Sequence, residues 1–316
     1  MNPVMVNWQD TQGRRLTVGP MDSTCSDLGI AAGSDRLGLR RFEIEPGKRS
    51  TPAHTHSGEE EIFYVLGGSG LSWQAGATHR VETGDCLVHL VGGPAHTLIA
   101  GPEGLDVLAF GERATSEACY LPRAQVAWLG TSWVKAGESA HPFAQEAAAG
   151  DIEMPEPSAR PATIVRSAEV EARQCEHGES VFRGADLGAA AGAQRTALRC
   201  FVLPADSLGA PPHCHSGCEE LFVVLAGSGV YLDQVAGASG WEPVEHPVRR
   251  GDVVSVRAGT GVAHAFRSGS EGLTYLAYGN RDGDDVIWYP RSRKIAFFSL
   301  GVIGRFERCG YWDGEE

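Results

Sequence analysis

The feature that most constrains this chain is an internal duplication that covers nearly its whole length. The stretch HTHSGEEEIFYVLGGSG, which begins at His54, is repeated as HCHSGCEELFVVLAGSG from His213. Residues 27–70 match residues 186–229 at a constant offset of 159 without a gap, and after an insertion in the second copy the match resumes at an offset of 168. A repeat of this length has the size of a domain, so the sequence predicts two tandem homologous domains rather than a solenoid.

Length and composition agree with two globular domains. The chain has 316 residues, of which 42% are hydrophobic, and it contains 41 glycines and 17 prolines, which is typical of a turn-rich globular protein. An Ala- and Pro-rich segment without a sustained period, residues 139–162, separates the copies and is predicted to be the linker. We place the boundary near Gly150, which gives an N-terminal domain over residues 1–150 and a C-terminal domain over residues 151–316.

Short apolar runs within each copy predict β-strands. Runs such as EIFYVL and DCLVHLV in the first copy, and LFVVL and LTYLAY in the second, are rich in β-branched and aromatic residues and are bounded by turn residues. No long stretch repeats with a helical period. The expected fold class is all-β, with an antiparallel sandwich or barrel in each half.

Charge and cysteine content narrow the partners and the compartment. A formal net charge of −13 without clustered Lys or Arg argues against nucleic acid and favours a small-molecule partner. No run of about 18 apolar residues and no basic-then-apolar start occurs, so we expect neither a membrane span nor an export signal. Eight scattered cysteines without a CxxC pair predict reduced thiols in a cytoplasm. A homodimer is one open expectation for the assembly, because the sequence does not determine the oligomeric state.

Three histidines and one glutamate recur at matching places in the two copies. If the His-x-His pair lies on a strand, its two imidazoles project from one face. Imidazole plus carboxylate suits Fe, Mn, Ni, Cu, Co or Zn and argues against Cu(I) or an iron–sulfur cluster, so we expect one divalent transition-metal ion per domain. A pair of packed or exposed histidines is the structural alternative. The predicted ligands are His54, His56, Glu61 and His96 in the first copy, and His213, His215, Glu220 and His264 in the second.

These residues resemble the two sequence motifs of the cupin superfamily. Both copies fit the core of the first motif, G(X)5HXH(X)3-4E(X)6G. The six-residue spacing of this motif to Gly68 and Gly227 selects Glu61 and Glu220 over the neighbouring Glu60 and Glu219. The second motif, G(X)5PXG(X)2H(X)3N, is longer here and lacks its Pro and closing Asn, which puts the turn geometry in doubt but not the ligands. With two such units the chain resembles a bicupin, which implies two tandem germin-like double-stranded β-helix (jelly-roll) barrels.

Other side chains have both a functional and a structural interpretation. His89 could act as an acid or base, or support a metal ligand, in the first barrel, although a packed or surface histidine is the commoner case. Arg40 and Arg199, which the repeat pairs, could clamp a substrate carboxylate or form structural ion pairs. Cys214 and Cys218 flank the second set of ligands, and we expect inert thiols there.

The resemblance implies a metal site that serves several reaction classes. Dioxygenases of this superfamily bind substrate through adjacent oxygens and use O2 to cleave a ring or a C–C bond. Redox-neutral relatives (isomerases, decarboxylases and aminohydrolases) use the metal as a Lewis acid. We favour a dioxygenase, because that activity is frequent among bicupins. A redox-neutral enzyme and a non-catalytic metal-dependent binding protein are the alternatives.

Overall fold

The computed structural model describes residues 5–129, 132–135, 141–235, 241–305, 307 and 309–315. Part of the loop inserted in the second copy, residues 236–240, and the first two residues of the predicted linker lie outside these ranges. The structure confirms the predicted all-β class, with one jelly-roll barrel for each copy of the repeat.

The described residues form 24 strands, three short α-helices and two single-turn 3-10 helices. The strands up to the linker are β1 (Met5–Asn7), β2 (Arg14–Val18), β3 (Met21–Asp27), β4 (Leu37–Ile44), β5 (Thr55–His56), β6 (Glu61–Gln74), β7 (Ala77–Glu82), β8 (Asp85–His89), β9 (His96–Glu112), β10 (Ala118–Leu121), β11 (Val126–Leu129) and β12 (Ser132–Lys135). Those after it are β13 (Ile164–Arg166), β14 (Ala172–His177), β15 (Ser180–Asp186), β16 (Thr196–Leu203), β17 (Cys214–His215), β18 (Glu220–Val235), β19 (Val244–Arg249), β20 (Asp252–Val256), β21 (Val262–Asn280), β22 (Val286–Tyr289), β23 (Lys294–Phe297) and β24 (Val302–Arg305). The α-helices are α1 (Leu28–Ala31), α2 (Pro142–Ala148) and α3 (Leu187–Ala190), and the 3-10 helices are Ser167–Glu169 and Phe298–Leu300.

Each barrel combines a large and a small antiparallel sheet. The large sheets have the orders β13-β8-β6-β9-β4-β3-β2 and β1-β20-β18-β21-β16-β15-β14, with β7 beside β6 and β19 beside β18. The small sheets have the orders β12-β11-β10-β5 and β17-β22-β23-β24. Both copies of the repeat therefore fold into the same arrangement.

The motif glycines Gly68 and Gly227 explain how the two longest strands of each sheet can cross closely. Both have positive φ, at +80° and +75°. A Cβ atom would lie 2.3 Å from the carbonyl oxygen of Gly104 in the first barrel, and 2.1 Å from that of Gly272 in the second. Only glycine fits such a backbone approach.

The two barrels exchange their outermost strands. Strand β1 pairs with β20 of the second barrel, with Met5 opposite Val254, and β13 pairs with β8 of the first, with Ile164 opposite Leu87. The boundary near Gly150 stays a prediction, but residues on each side of it complete the sheet of the other half.

Two buried carboxylates tie the barrels together reciprocally. Glu60 of the first barrel accepts hydrogen bonds from the backbone N–H and hydroxyl of Thr196, at 3.1 and 2.6 Å. Glu219 of the second accepts bonds from the backbone N–H groups of Asp35 and Arg36, at 2.9 and 2.6 Å. Both side chains are buried, so these neighbours of Glu61 and Glu220 serve the contact between barrels.

The segment predicted as linker packs along the first barrel and contains one helix, α2, that the sequence did not indicate. The carboxylate of Glu146 on α2 is fully buried and accepts bonds from Arg49, at 3.0 Å, and from Arg123, at 2.9 Å. Further along, the indole Nε1 of Trp73 donates to the carbonyl of Glu153 at 2.9 Å. The linker is thereby fixed to the barrel that precedes it.

The described residues contain no helix that is long and apolar enough to cross a membrane. All eight cysteines are free thiols. Burial raises the pKa of Cys214 to about 11, so this thiol next to the second set of predicted ligands is uncharged at neutral pH.

Candidate metal centres

The first candidate centre lies where three strands of the first barrel begin or end. His56 is on the two-residue strand β5, Glu61 begins β6, and His96 begins β9. His54 precedes β5 and forms a β-bridge with His96. One ligand atom from each of these four residues lies within 4.8 Å of all the others, although the residues are up to 42 positions apart in sequence.

The four side chains point their ligand atoms at one common region. The Nε2 atom of His96 is 3.0 Å from Oε2 of Glu61, and the Nε2 atoms of His54 and His56 are each 3.8 Å from the same oxygen. The side chains are 3–16% exposed. A carboxylate oxygen within reach of three ring nitrogens is a geometry that one divalent cation can share.

The remaining nitrogen of each histidine fixes which atom faces the centre. Nδ1 of His54 donates to the carbonyl oxygen of Pro52 at 2.8 Å, and Nδ1 of His96 to that of Pro94 at 3.3 Å. Nδ1 of His56 bonds the Glu117 carboxylate at 3.0 Å. The Nε2 atom of His56 is buried without a hydrogen-bond partner among the described residues, as expected of an atom that would bind a metal ion.

The second candidate centre is built from the matching residues of the repeat. Ligand atoms of His213, Glu220 and His264 lie within 4.8 Å of one another, with His264 Nε2 at 3.0 Å from Glu220 Oε2. Nε2 of His215 is 3.4 Å from the same oxygen. Within the described residues, the buried Nε2 atoms of His215 and His264 and the Oε2 atom of Glu220 have no hydrogen-bond partner. Three orphaned buried atoms around one point fit a bound cation, and the ligand role of all eight residues stays a prediction.

Two carboxylates that the sequence analysis missed hold the second histidine of each pair. Asp285 bonds Nδ1 of His215 at 2.6 Å, as Glu117 does for His56 in the first barrel. The repeat contained the signal for them, because the offset of 168 that pairs His96 with His264 also pairs Glu117 with Asp285. Such carboxylate–imidazole contacts orient a metal ligand and raise its basicity.

These carboxylates also set the charge of the imidazoles. Burial works to lower the pKa of His56, but hydrogen bonds to Glu117 and Glu59 outweigh it and raise the pKa to about 10. Asp285 and Cys218 have the same effect on His215, whose pKa also rises to about 10. Each Nδ1–H is therefore held firmly by an acceptor.

The carboxylates of the two centres are held in the charged form. Although burial works to raise it, the neighbouring imidazoles of His54 and His96 keep the pKa of Glu61 well below its usual range. The pKa of Glu220 is lowered in the same way, against its burial, by His264 and His215. Each centre thus offers an ionised carboxylate, which is the form that binds a cation.

His89 lies at the end of β8, beside the first centre and not within it. Its ring stacks on that of His96, with centroids 3.6 Å apart and planes at 6°. Burial keeps its pKa well below the usual range, and its Nε2 atom has no hydrogen-bond partner among the described residues. Val256 holds the matching position at the end of β20, so this histidine distinguishes the first centre from the second.

Arg40 and Arg199 form the ion pairs that the structural interpretation expected. Nε of Arg40 is 3.6 Å from Asp27, and Nε of Arg199 is 3.2 Å from Asp186. Both guanidinium groups are more than half exposed. A role in binding substrate stays a prediction for both.

A cavity of about 190 Å³ adjoins the second centre. Apart from the predicted ligands, half of the lining residues are aromatic, namely Phe201, Phe222, Phe266, Tyr275, Tyr289 and Phe298. At the positions that the repeat pairs with Phe266, Tyr275 and Tyr289, the first copy has the smaller Leu98, Val107 and Leu121. The two centres therefore have predicted ligands of the same residue types, but the side chains around these ligands differ.

Comparison with known proteins agrees with this architecture. The family model described as a cupin domain matches residues 40–100. No curated protein matches the chain. Among solved structures, one on the substrate binding mode and reaction specificity of oxalate decarboxylase is 18% identical, with a TM-score of 0.60 over 90% of this chain and 79% of that one.

Two structures of oxalate decarboxylase from Bacillus subtilis give similar values. A deletion mutant is 17% identical, with a TM-score of 0.58 over 88% of this chain and 77% of that one. The structure at pH 4.6 is also 17% identical, with a TM-score of 0.57 over 88% and 76%. At this identity the similarity concerns the fold, two cupin barrels in tandem.

Proposed function

We propose that this bicupin, a member of the cupin superfamily by its two-barrel fold and its cupin-domain match, is a metal-dependent enzyme whose reaction takes place at the second centre. The substrate is a small molecule with an aromatic body and adjacent oxygen donors. The reaction is the O2-dependent cleavage of a ring or C–C bond, with both oxygen atoms of O2 entering the products.

The observation that carries this proposal is the aromatic cavity beside the orphaned ligand atoms of the second centre. A group bound there contacts aromatic and aliphatic side chains as well as the predicted ligands His213, His215, Glu220 and His264. An apolar cavity of about 150 Å³ admits one benzene ring, so this cavity has the size for one ring with small substituents. A substrate without an apolar body would leave these rings unused.

The residues of the chain have separate tasks in this scheme. The rings of Phe222, Phe266 and Tyr275 enclose the substrate and exclude water from it. Tyr289 stacks on His213, with centroids 5.9 Å apart, and Asp285 orients His215. A divalent ion held by the three histidines and Glu220 would supply Lewis acidity for the bound substrate.

A redox-neutral reaction is the second candidate, and the fold similarity to oxalate decarboxylases favours it. In that case the same residues bind a carboxylate or carbonyl compound, and the products contain no oxygen from O2. The aromatic lining argues against oxalate itself as the substrate, because oxalate has no apolar surface to bury.

An oxygen-electrode assay of the protein with its native metal tests the proposal. Catechols, hydroxybenzoates, flavonols, diketones and oxalate are supplied in turn, and we expect O2 consumption in step with loss of one aromatic substrate. The double variant His213→Ala with His215→Ala should lose this activity, whereas His54→Ala with His56→Ala should keep it. Turnover of a substrate under anaerobic conditions, without O2 uptake for any compound, would instead establish the redox-neutral reaction.

A further inference from the structure

The cavity at the second centre continues into a larger cleft. Four residues line both spaces: Arg199, Phe201, Ala210 and Phe298. The cleft has a volume of about 1230 Å³. One wall comes from the end of the linker and the segment after it, residues 160–171, and the other from strands β14 to β16 of the second barrel. A molecule bound at the centre can therefore extend through this junction into the cleft.

Size makes that extension necessary for any substrate larger than one ring. The inner cavity, about 190 Å³, has room for a single ring with small substituents. A side chain attached to the ring on the side away from the centre has to pass Arg199 and Phe201, which lie at the junction.

Among the residues that the structure describes, Arg199 is the only cationic side chain that lines the inner cavity apart from the predicted metal ligands. Its Nε donates to Asp186, while its two terminal nitrogens have no hydrogen-bond partner among the described residues. Its side chain is 51% exposed, so a ligand can reach it. A guanidinium group with two unused nitrogens binds a carboxylate through two parallel hydrogen bonds.

The other charged side chains that line the cleft are engaged in ion pairs or do not line the inner cavity. Arg160 bonds the buried carboxylate of Asp85, and Arg166 pairs with Asp85 and with Glu82. The acidic residues of the opposite wall, Glu169 and Glu171, are exposed and do not line the inner cavity.

Arg173 adds a second positive charge on the same face of the sheet. In the register of the sheet, Arg173 on β14 lies opposite Gly184 on β15, and Gly184 lies opposite Phe201 on β16. The Arg173 side chain makes no ion pair within the described residues. Positive charge thus continues from the junction along the floor of the cleft.

We propose that Arg199, at the junction of cavity and cleft, is a specificity-determining residue that binds a carboxylate on the side chain of an aromatic substrate. This inference rests on the proposed function, since it assumes that the ring of the substrate occupies the cavity beside the second centre. It assigns the substrate to the aromatic acids with adjacent ring oxygens and a carboxylate-bearing side chain.

Calorimetric titration of the metal-loaded protein under anaerobic conditions tests this assignment without relying on turnover. The two probes are 3-(3,4-dihydroxyphenyl)propanoate and its amide, which share ring, oxygens and chain length and differ in charge. We expect the acid to bind at least about tenfold more tightly than the amide, the difference that a charge-assisted bidentate contact makes.

The variants separate a specific contact from general attraction. Arg199→Gln should remove the preference for the acid and leave affinity for the amide unchanged. Arg199→Lys should keep part of the preference for the acid. Arg40→Gln is the matched control, because it breaks the equivalent ion pair of the first barrel, and it should keep the full preference. Thermal unfolding checks that all three variants fold as the parent does.

Each other result contradicts the inference in a distinct way. A preference that survives Arg199→Gln, or that Arg40→Gln also abolishes, overturns the role of Arg199. Equal binding of acid and amide by the parent overturns the anion site but leaves the proposed function in place. If neither probe binds, the proposed substrate class fails, and this inference fails with it.

Discussion

At the scale of single residues, the two centres show how the second nitrogen of a histidine decides what the first can do. Glu117 and Asp285 each accept from the Nδ1 of a His-x-His residue, and the Nε2 atoms of the same rings are left buried and without a partner in the described structure. A buried polar atom without a partner costs free energy, and a cation bound at these Nε2 atoms would remove that cost.

Removing either supporting carboxylate should therefore weaken metal binding at its own centre. We expect Glu117→Gln and Asp285→Asn each to lower the affinity of the neighbouring site by about 10- to 100-fold, because the imidazole loses its orientation and part of its basicity. Competition with a chelating dye measures this, with the other centre disabled by its histidine double variant. Glu43→Gln, which changes an exposed carboxylate in a surface ion pair, is the control. An affinity unchanged in both variants would contradict the supporting role.

The sequence predicts which residues come together as candidate metal ligands, but it does not predict which side chains hydrogen-bond to those ligands. His54, His56 and Glu61 are within eight positions of one another, so a motif with fixed spacing can detect them. Glu117 lies 61 positions from His56, on the loop before β10, and no local pattern marks it. Only its match to Asp285 in the repeat distinguishes it from other acidic surface residues.

At the scale of elements, the linker is held to the first barrel by a buried charge cluster. Glu146 on α2 is fully buried, and Arg49, which it binds, is 4% exposed. Arg123 shares the same carboxylate oxygen. Such a cluster adds little net stability when intact, but loss of one partner leaves a charge buried without compensation.

Loss of the Glu146 carboxylate should therefore destabilise the folded protein strongly. We expect Glu146→Ala to lower the free energy of unfolding by about 3–5 kcal/mol, because Arg49 is then buried without its partner. Glu156→Ala, an exposed glutamate of the same linker, should change it by less than about 0.5 kcal/mol. Urea denaturation followed by fluorescence measures both, and equal effects of the two substitutions would show that the cluster does not hold the linker.

The elements that sequence analysis found and missed differ in what stabilises them. Long strands such as β6 and β9 contain their own pattern of apolar residues and turns. Strand β1 has three residues and α2 has seven, and both depend on contacts with distant parts of the chain. Periodicity within a short window cannot indicate such contacts.

At the scale of the whole molecule, the two barrels are interlocked rather than merely joined. Each large sheet is completed by a strand from the other half of the chain, and the aromatic rings of Phe110 and Tyr278 meet 5.0 Å apart across the shared core. Glu60 and Glu219 add reciprocal buried hydrogen bonds. Neither half can unfold without exposing surface that belongs to the other.

This interlocking predicts one cooperative unfolding transition for the metal-free protein. Differential scanning calorimetry should give a single peak whose calorimetric and van't Hoff enthalpies agree, as for a single cooperative unit. Two resolved peaks, each with the enthalpy of about half the chain, would show instead that the halves unfold as independent domains.

The duplication also separates what the centres share from what distinguishes them. Both keep three histidines and a glutamate, while the aromatic cavity adjoins the second centre and His89 adjoins the first. This difference is the basis for our proposal that both centres bind metal and that the reaction takes place at the second.

Metal analysis of the purified protein tests most directly whether both clusters of histidine and glutamate bind a metal ion. After loading and removal of excess metal, we expect about two transition-metal ions per chain in the parent, and about one in each of the double variants His54→Ala with His56→Ala and His213→Ala with His215→Ala. A parent protein that retains fewer than about 0.2 ions per chain, while still folded, would contradict the account.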